Sequence, residues 1–412
     1  MTLFWLCDKN LEIEAQLCYT LVMKKIRALT SLILAIVLLS ACGKAEKFLY
    51  KRDVETFNTS SLLFVYDDFS NKKNAEKLES VWNEAEDILK DVEDLVSVDK
   101  IGSDVYRFNI ASFGEKVEIS ETTKKLFLIA KEAYSLSGGL FDPTVYPLVD
   151  LWGFSPRFSD DYTPTEKYDR KRSKDGSLPL PSDEYVEAFV SLVGFDKIEL
   201  VEEDGKTYLF KGIKPVTVNG VTYEAKIDFG GIAKGYTADK VLALMKDRGY
   251  AEGYFSCGTS SIAFLESGSE RATDKTFELD IRKPRQTDKS GNSFASLRIK
   301  NACVSTSGDY EKYYVTGGVR YCHVINPETG RPVNTDEATK KIMSVTLIGE
   351  NAALIDALST AVIGMSVFEA KDFLFKNKLE AVVTYEENGE YKVFTTLQKN
   401  DVTIKDENFA FE

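Results

Sequence analysis

The sequence predicts an α+β protein built from mostly antiparallel sheets with packed helices. Three observations lead there. Short apolar strand patterns follow one another without regular alternation with helices, which argues against a doubly wound sheet. Two long segments carry apolar residues at three- and four-residue steps, the period of an amphipathic helix. With 412 residues, 20 Tyr and 25 Phe, the chain is long and aromatic enough to bury one large core or two medium ones.

In chain order, Ser61 to Tyr66 reads as a strand. From Asn74, the residues Ala75, Leu78, Val81, Trp82, Ala85, Ile88, Leu89, Val92 and Leu95 mark the first helix. The second runs from Thr122 to Ser137 and is stopped by Gly138-Gly139. Residues 157–183 are charged, proline-bearing and aperiodic, the pattern of a surface insertion. Strand patterns follow at Lys197–Val201, Thr207–Lys211 and Thr222–Asp228. The last leads into a helix that opens on Gly230-Gly231 and ends near Gly249. Further strands are expected at Gly253–Leu265, Thr276–Ile281, Ser296–Lys300, Cys303–Thr306, Tyr321–Ile325 and Met343–Leu347. A last helix starts near Asn351, and Leu379–Tyr385 with Tyr391–Thr396 reads as a closing hairpin.

The N-terminal region reads differently. Met23-Lys24-Lys25-Ile26-Arg27 is a basic start. Ala28 to Leu39 is an apolar run too short to span a bilayer comfortably, and it closes on Leu39-Ser40-Ala41-Cys42-Gly43. This layout resembles a bacterial lipoprotein signal, with Cys42 as the lipidated mature N-terminus. The expected division is a spurious or over-extended leader before a true start at Met23 (1–22), a signal (23–41), a tether (42–56), the main domain (57–400) and a tail (401–412). The localisation expected is export with a lipid anchor on the extracytoplasmic membrane face. The net charge of −13, with no basic tract, argues against nucleic acid as a partner. Beyond Cys42 stand Cys257, Cys303 and Cys322; the exported compartment permits one disulfide, and no pair is singled out.

Four clusters carry possible chemistry. In Ile227-Asp228-Phe229-Gly230-Gly231-Ile232-Ala233-Lys234-Gly235-Tyr236, backbone N–H groups at a glycine-lined helix start can face a phosphate, with Lys234 adding positive charge. Asp356 and Thr360 are four apart in the last helix, so a carboxylate and a hydroxyl share one face and can offer two oxygen ligands to Mg²⁺. An Asp favouring a helix start and a Thr bonding back to a carbonyl would look the same. His323, the single histidine, is the side chain whose unperturbed pKa lies near neutrality, so a general base is His323 or a nearby carboxylate such as Asp309. Gly138-Gly139-Leu140-Phe141-Asp142-Pro143-Thr144, followed by Leu151-Trp152-Gly153-Phe154, frames a planar ring or simply backs a turn with core aromatics.

Taken in order, these clusters, with Ser305-Thr306-Ser307-Gly308-Asp309-Tyr310 leading to His323-Val324-Ile325-Asn326-Pro327-Glu328-Thr329-Gly330-Arg331-Pro332, closely resemble the ApbE family of FAD:protein FMN transferases, from about Phe57 to Glu380. The resemblance implies two lobes around a flavin-binding cleft, FAD as substrate and Mg²⁺ as cofactor. It also implies transfer of the FMN half to a threonine of a partner flavoprotein, with release of AMP. The acceptor threonine would lie in an Asp-x-x-Ser/Thr-Gly-Ala-Thr motif of a membrane redox-pump subunit. It gives Asp356, Thr360 and the Gly231 carbonyl to the metal. Asp228 and Lys234 go to the flavin nucleotide, Leu140, Phe141 and Asp142 to the flavin, and His323 to acid/base or positioning work near the phosphate.

The chain departs from the family at three places. Phe57-Asn58-Thr59 replaces the usual first-strand residues. Asp99 stands near where an aromatic usually precedes the Ser103 to Asn109 stretch, which removes a stacking ring worth about 0.5–1.5 kcal/mol. Cys257-Gly258-Thr259-Ser260-Ser261 carries a Thr where a second Gly is usual. The Asp99 departure keeps open an FAD pyrophosphatase of the same fold; a non-catalytic flavin-binding lipoprotein is a third reading.

Overall fold

A computed structural model describes residues 48–57, 59–67, 72–155, 171–172, 179–266, 276–285, 293–335, 341–398 and 400–412. A nine-stranded sheet forms its centre. Its strands, β1 to β9, are Phe48–Thr56, Thr59–Asp67, Gly253–Cys257, Ser261–Phe264, Cys303–Gly308, Lys341–Gly349, Glu380–Glu387, Glu390–Thr395 and Phe409–Phe411. They lie side by side in that same order, antiparallel except for the β8–β9 pair. The α+β expectation holds: the sheet's strands succeed one another in chain order, with long insertions between β2 and β3 and between β4 and β5.

Both faces of the sheet are buried, and the alternation of strand residues sorts them. Ala263, Cys303, Val345, Leu347, Ala381 and Val383 face a large core shared with the helices. Phe264, Val304, Ile348, Val382 and Val393 face a second core, covered by a three-stranded sheet of Phe277–Arg282, Ser293–Ile299 and Val402–Ile404.

The helices are α1 (Lys72–Val96), α2 (Asp104–Ile110), α3 (Glu121–Leu136), α4 (Tyr146–Trp152), α5 (Asp183–Val190), α6 (Gly230–Asp247), α7 (Ala352–Ile363) and α8 (Val367–Lys376). Helix α1 buries Leu78, Val81, Trp82, Ala85, Leu89, Val92 and Val96, the stripe that the spacing predicts. Each large apolar side chain so buried stabilises the fold by about 1.5–3 kcal/mol. It packs on α6; α6 lies on β3 and β4, and α7 on β5 and β6. Helix α3 starts on Ser120, whose Oγ accepts from the Thr123 N–H, and ends as expected on Gly138 and Gly139, both at positive φ. A smaller assembly, with a sheet of Lys116–Ile119, Ile198–Glu203 and Lys206–Lys211, completes the unit.

Several expectations need correction. Part of the span read as a tether is the edge strand β1, paired along its whole length with β2. Its Arg-Asp-Val-Glu-Thr sequence is charged, as edge strands tend to be, so no apolar alternation announces it. The tail carries strands at Val402–Ile404 and Phe409–Phe411. The strand expected over Thr222–Asp228 ends at Tyr223. Beyond it, Ala225, Ile227 and Phe229 are fully buried at two-residue spacing, which mimics a strand. Their backbone is instead held by side-chain and loop groups: the Asn109 amide bonds both N–H and C=O of Ile227, and the Asp228 N–H donates to the Pro143 carbonyl. Gly253–Leu265 is two strands joined by a turn. Helix α8 begins with a capping box of Ser366 and Glu369 that was present in the sequence and not read. Leader, signal and Cys42 lie outside the described residues, as does most of the insertion over 157–183, whose last residue opens α5. Cys257, Cys303 and Cys322 are buried free thiols.

Candidate functional site

The site lies where α6 begins, α7 runs beside it and β5 passes under both. Gly235 sets the spacing of the two helices. A Cβ there would sit 2.3 Å from the Ala352 carbonyl oxygen, so only glycine permits the approach. One turn on, Asp239 of α6 caps α7, accepting from the N–H groups of Ala352 (2.9 Å) and Ala353 (3.0 Å). Burial raises the Asp239 pKa, and those two N–H bonds oppose the rise.

The close approach delivers Asp356 into a cage of neutral donors. Its Oδ2 accepts from the Gly235 N–H (3.0 Å), and its Oδ1 accepts from Ser305 Oγ (2.7 Å) and Ser261 Oγ (3.1 Å). The side chain is buried, and among the described residues Asp356 forms no ion pair. A buried carboxylate met only by neutral groups keeps its charge uncompensated, a costly state that a cation relieves.

Thr360 lies one turn further along α7. Its Oγ1 is 3.3 Å from Ser307 Oγ and 3.4 Å from the Asp356 carbonyl. Gly231 completes the convergence: a Cβ built on it would lie 3.8 Å from Thr360 Oγ1 and 3.1 Å from Phe141 Cε2. The Gly235 N–H, which in a regular helix serves the Gly231 carbonyl, donates to Asp356. One acid, one hydroxyl and one backbone carbonyl make an all-oxygen set that suits a hard divalent ion. Among the described residues no group of three or more His, Cys, Asp or Glu side chains is arranged to hold a metal.

A second group of charges surrounds the α6 start. Burial raises the Asp228 pKa; the Gly230 N–H and the positive Lys312 and Lys234 oppose that, and Asp99 adds to it. The Asp228 Oδ1 accepts from the Gly230 N–H (2.8 Å), so this helix-start donor, expected to face a phosphate, is already engaged. Lys234 Nζ reaches back to the Gly230 carbonyl (3.3 Å). Asp99 is exposed at the rim.

His323 stands half-buried just past the hairpin of Tyr313–Thr316 and Val319–Cys322. Its backbone N–H donates to the Lys312 carbonyl (3.0 Å), and its Nδ1 lies 3.3 Å from the same oxygen. A carbonyl only accepts, so the proton belongs on Nδ1, and Nε2 keeps its lone pair. The ring stands beside two lysines, Lys312 and Lys234. Burial first, then Lys312, pushes its pKa down to about 4.

Two expected site residues take other parts. Asp309 is fully buried, and Arg285 Nε and Nη2 and Asn334 Nδ2 all donate to its carboxylate. It is charge-paired and enclosed, which leaves it unfit as a base. Asp142 is buried as a cap: it accepts from the Thr144 N–H (2.7 Å) and Oγ1 (2.5 Å) and from the Phe195 N–H (3.2 Å). Burial raises its pKa against those bonds. It therefore shapes the loop that carries Phe141. Leu140 is half-buried against the core, and Phe141 is buried with its ring edge at Gly231.

The sequence assigns no site role to Ser305, Ser307 and Ser261, though they lie in its motifs, nor to Lys312. For two of them a signal existed: Ser305 and Ser307 alternate along β5 and so meet α7 together. Ser261 arrives from another strand, and no local spacing relates it to Asp356.

Comparisons with known proteins bear on the family and the fold. A family model described as the ApbE family matches residues 58–383. The chain is 26% identical over 337 residues to a protein of Escherichia coli K12 named FAD:protein FMN transferase, covering 82% of this chain and 84% of that one. A Vibrio cholerae protein of the same name is 29% identical over 306 residues, covering 71% and 77%. Among solved structures, the ApbE protein of Thermotoga maritima superposes with a TM-score of 0.63 at 26% identity, over 82% of this chain and 94% of that one. The flavin transferase ApbE of Vibrio cholerae gives 0.65 at 21% identity over 85% and 97%, a likeness of fold.

Proposed function

We infer the function from one premise: the chain belongs to the ApbE family, whose model spans most of it. The protein is an FAD:protein FMN transferase, as its relatives are named. The observation that carries the reading is the uncompensated buried carboxylate of Asp356, set beside Thr360 and Gly231.

In the reaction, a hydroxyl of an acceptor flavoprotein attacks the FMN phosphorus of FAD. A new O–P bond forms, the diphosphate P–O bond breaks, AMP leaves, and the hydroxyl proton must be taken up. His323 is placed for that last task by geometry: with Nδ1 on the Lys312 carbonyl, Nε2 carries the free lone pair. Lys234 and Lys312 supply positive charge where the diphosphate gathers negative charge. Phe141 offers an apolar edge at Gly231. Asp356, Thr360 and the Gly231 carbonyl would hold Mg²⁺. When bound, that ion supplies charge neutralisation at the diphosphate. A threonine in the Asp-x-x-Ser/Thr-Gly-Ala-Thr motif of a membrane redox-pump subunit is the proposed acceptor. Export and lipid anchoring through Cys42 rest on the signal-like N-terminal sequence.

The test is direct. The protein is incubated with FAD, Mg²⁺ and an acceptor domain, and the acceptor's mass is read. A gain of one FMN with equimolar AMP is expected; an acceptor mass unchanged with and without Mg²⁺ sinks the reading. Exposed Asp99, in place of a stacking ring, favours some hydrolysis as a second activity, read as AMP and free FMN formed without acceptor.

A further inference from the structure

Asp309, fully buried, is the centre of a polar cluster whose other members are half-buried. Arg285 grips it through Nε (3.1 Å to each carboxylate oxygen) and Nη2 (2.5 Å to Oδ2), while its Nη1 reaches Glu386 (3.2 Å). Asn334 Nδ2 donates both to Asp309 Oδ2 (3.1 Å) and to the Ile342 carbonyl (2.7 Å). Arg285 and Asn334 are held at φ 59 and φ 62, a region that L residues avoid unless their surroundings impose it.

This cluster joins, through the backbone, the two segments that flank His323. On one side, the Asp309 N–H donates to the Met343 carbonyl (3.1 Å), and three residues on lies Lys312, whose carbonyl holds both the backbone and Nδ1 of His323. Between them, Tyr310 folds back over Gly308, where an added Cβ would fall 2.4 Å from its ring. On the other side, the antiparallel bridge Ile325–Pro332 and the Val333 N–H bond to the Val324 carbonyl (3.0 Å) put Asn334 opposite His323 in register.

We propose that Arg285, Asp309 and Asn334 are positioning residues for His323: together they fix both of its flanks, so that Nδ1 stays on the Lys312 carbonyl and Nε2 remains the free acceptor. The inference rests on the reading of His323 as the base in flavin transfer. Arg285 is suited to the task because its planar fork fixes a carboxylate in two directions at once, which a lysine's point charge does not.

The single histidine makes the test clean. In untagged full-length protein, the imidazole ¹H–¹⁵N spectrum reports one ring, its tautomer and its titration midpoint. Wild type should show the Nδ1–H tautomer and a midpoint near 4. Arg285→Gln should produce a tautomer mixture and a midpoint moved toward the ordinary value of about 6.5. Its kcat should fall about tenfold to a hundredfold, the scale of a misplaced catalytic group, with KM for FAD within about twofold. Arg285→Lys should recover part of both losses. If Arg285→Gln does not fold, Asn334→Gly carries the test, since it removes only the amide and suits the positive φ. Folded variants whose histidine signals match wild type overturn the proposal. Histidine signals that move while the transfer rate holds support the positioning role and overturn His323 as base.

Discussion

Asp356 and Asp309 are both buried carboxylates served by β5, yet they sit in opposite electrostatic settings. Asp356 accepts from two serines and one backbone N–H, all neutral. Asp309 lies in the fork of Arg285, with Asn334 filling in. Burial alone therefore does not mark a reactive acid. What separates the two is whether the protein itself supplies the counter-charge. Where it does, the acid holds structure together; where it does not, as proposed for Asp356, the acid is open to a cation from outside.

The largest effect should come from breaking the uncompensated end. Asp356→Asn keeps the shape and removes the charge, so flavin transfer should fall about 10³-fold or more, in line with losing electrostatic stabilisation of a charged transition state. Mg²⁺ at a hundredfold excess over its Kd should stabilise wild type by about 2.7 kcal/mol and leave the variant unmoved. Acceptor mass, AMP release and thermal melts across a Mg²⁺ titration read both. Transfer that stays within tenfold of wild type would dissolve the contrast.

The compensated end should answer in stability. Asp309→Asn leaves Arg285, one-fifth exposed, with Glu386 as its remaining counter-charge, so the loss should be about 2–3 kcal/mol, below the about 3–5 kcal/mol of breaking a fully buried pair. Asp356→Asn, measured without metal, should cost less than about 1 kcal/mol, because no cation loses its partner. Urea unfolding of both variants gives the comparison; equal losses would mean that the two acids do the same structural work.

How far the sequence foretold this contrast depends on how local each feature is. The i, i+4 pair of Asp356 and Thr360, the glycine stop of α3 and the stripe on α1 lie within one element, and a short window holds them. The ordered motif series carried the family. Asp309 and Asp356 look alike in sequence because their partners are remote: Arg285 lies 24 residues away, and Ser261 lies 95 residues from Asp356. The segment from Ala225 to Phe229 misled for a related reason. Its two-residue burial is real, but its backbone bonds go to Asn109 and Pro143 rather than to a strand. The β1 strand was hidden because its outward residues are charged and its register is set by β2.

A smaller effect is expected from His323, which belongs to the compensated end through Lys312 and Asn334. Its folded pKa, about 4, lies below the ordinary 6.5. As pH falls from 6.5, the unfolded chain takes the proton first, so stability present above 6.5 is lost progressively until pH reaches about 4. A fully enclosed ring would account for about 3 kcal/mol, and a half-buried one for about 1–2 kcal/mol. The difference between wild type and His323→Gln, followed by chemical unfolding from pH 7 to pH 4, isolates the effect, since no other histidine titrates. Parallel curves would return His323 to an ordinary solvated ring.

The smallest change sharpens the uncompensated end without touching its charge. Gly231→Ala adds a methyl group whose carbon would lie 3.1 Å from Phe141 Cε2 and 3.8 Å from Thr360 Oγ1. The ring must yield by a few tenths of an ångström, while the helix gains about 0.5–1 kcal/mol from replacing glycine in its first turn. Stability should therefore stay level or rise slightly. The methyl group nonetheless occupies the space between the ring and the hydroxyl, so FAD should bind about fivefold more weakly, close to 1 kcal/mol, with Mg²⁺-dependent stabilisation retained. Binding measured by flavin fluorescence separates the two effects. If affinity holds while stability falls, the ring and Gly231 are merely packed together, and the flavin lies elsewhere along α6.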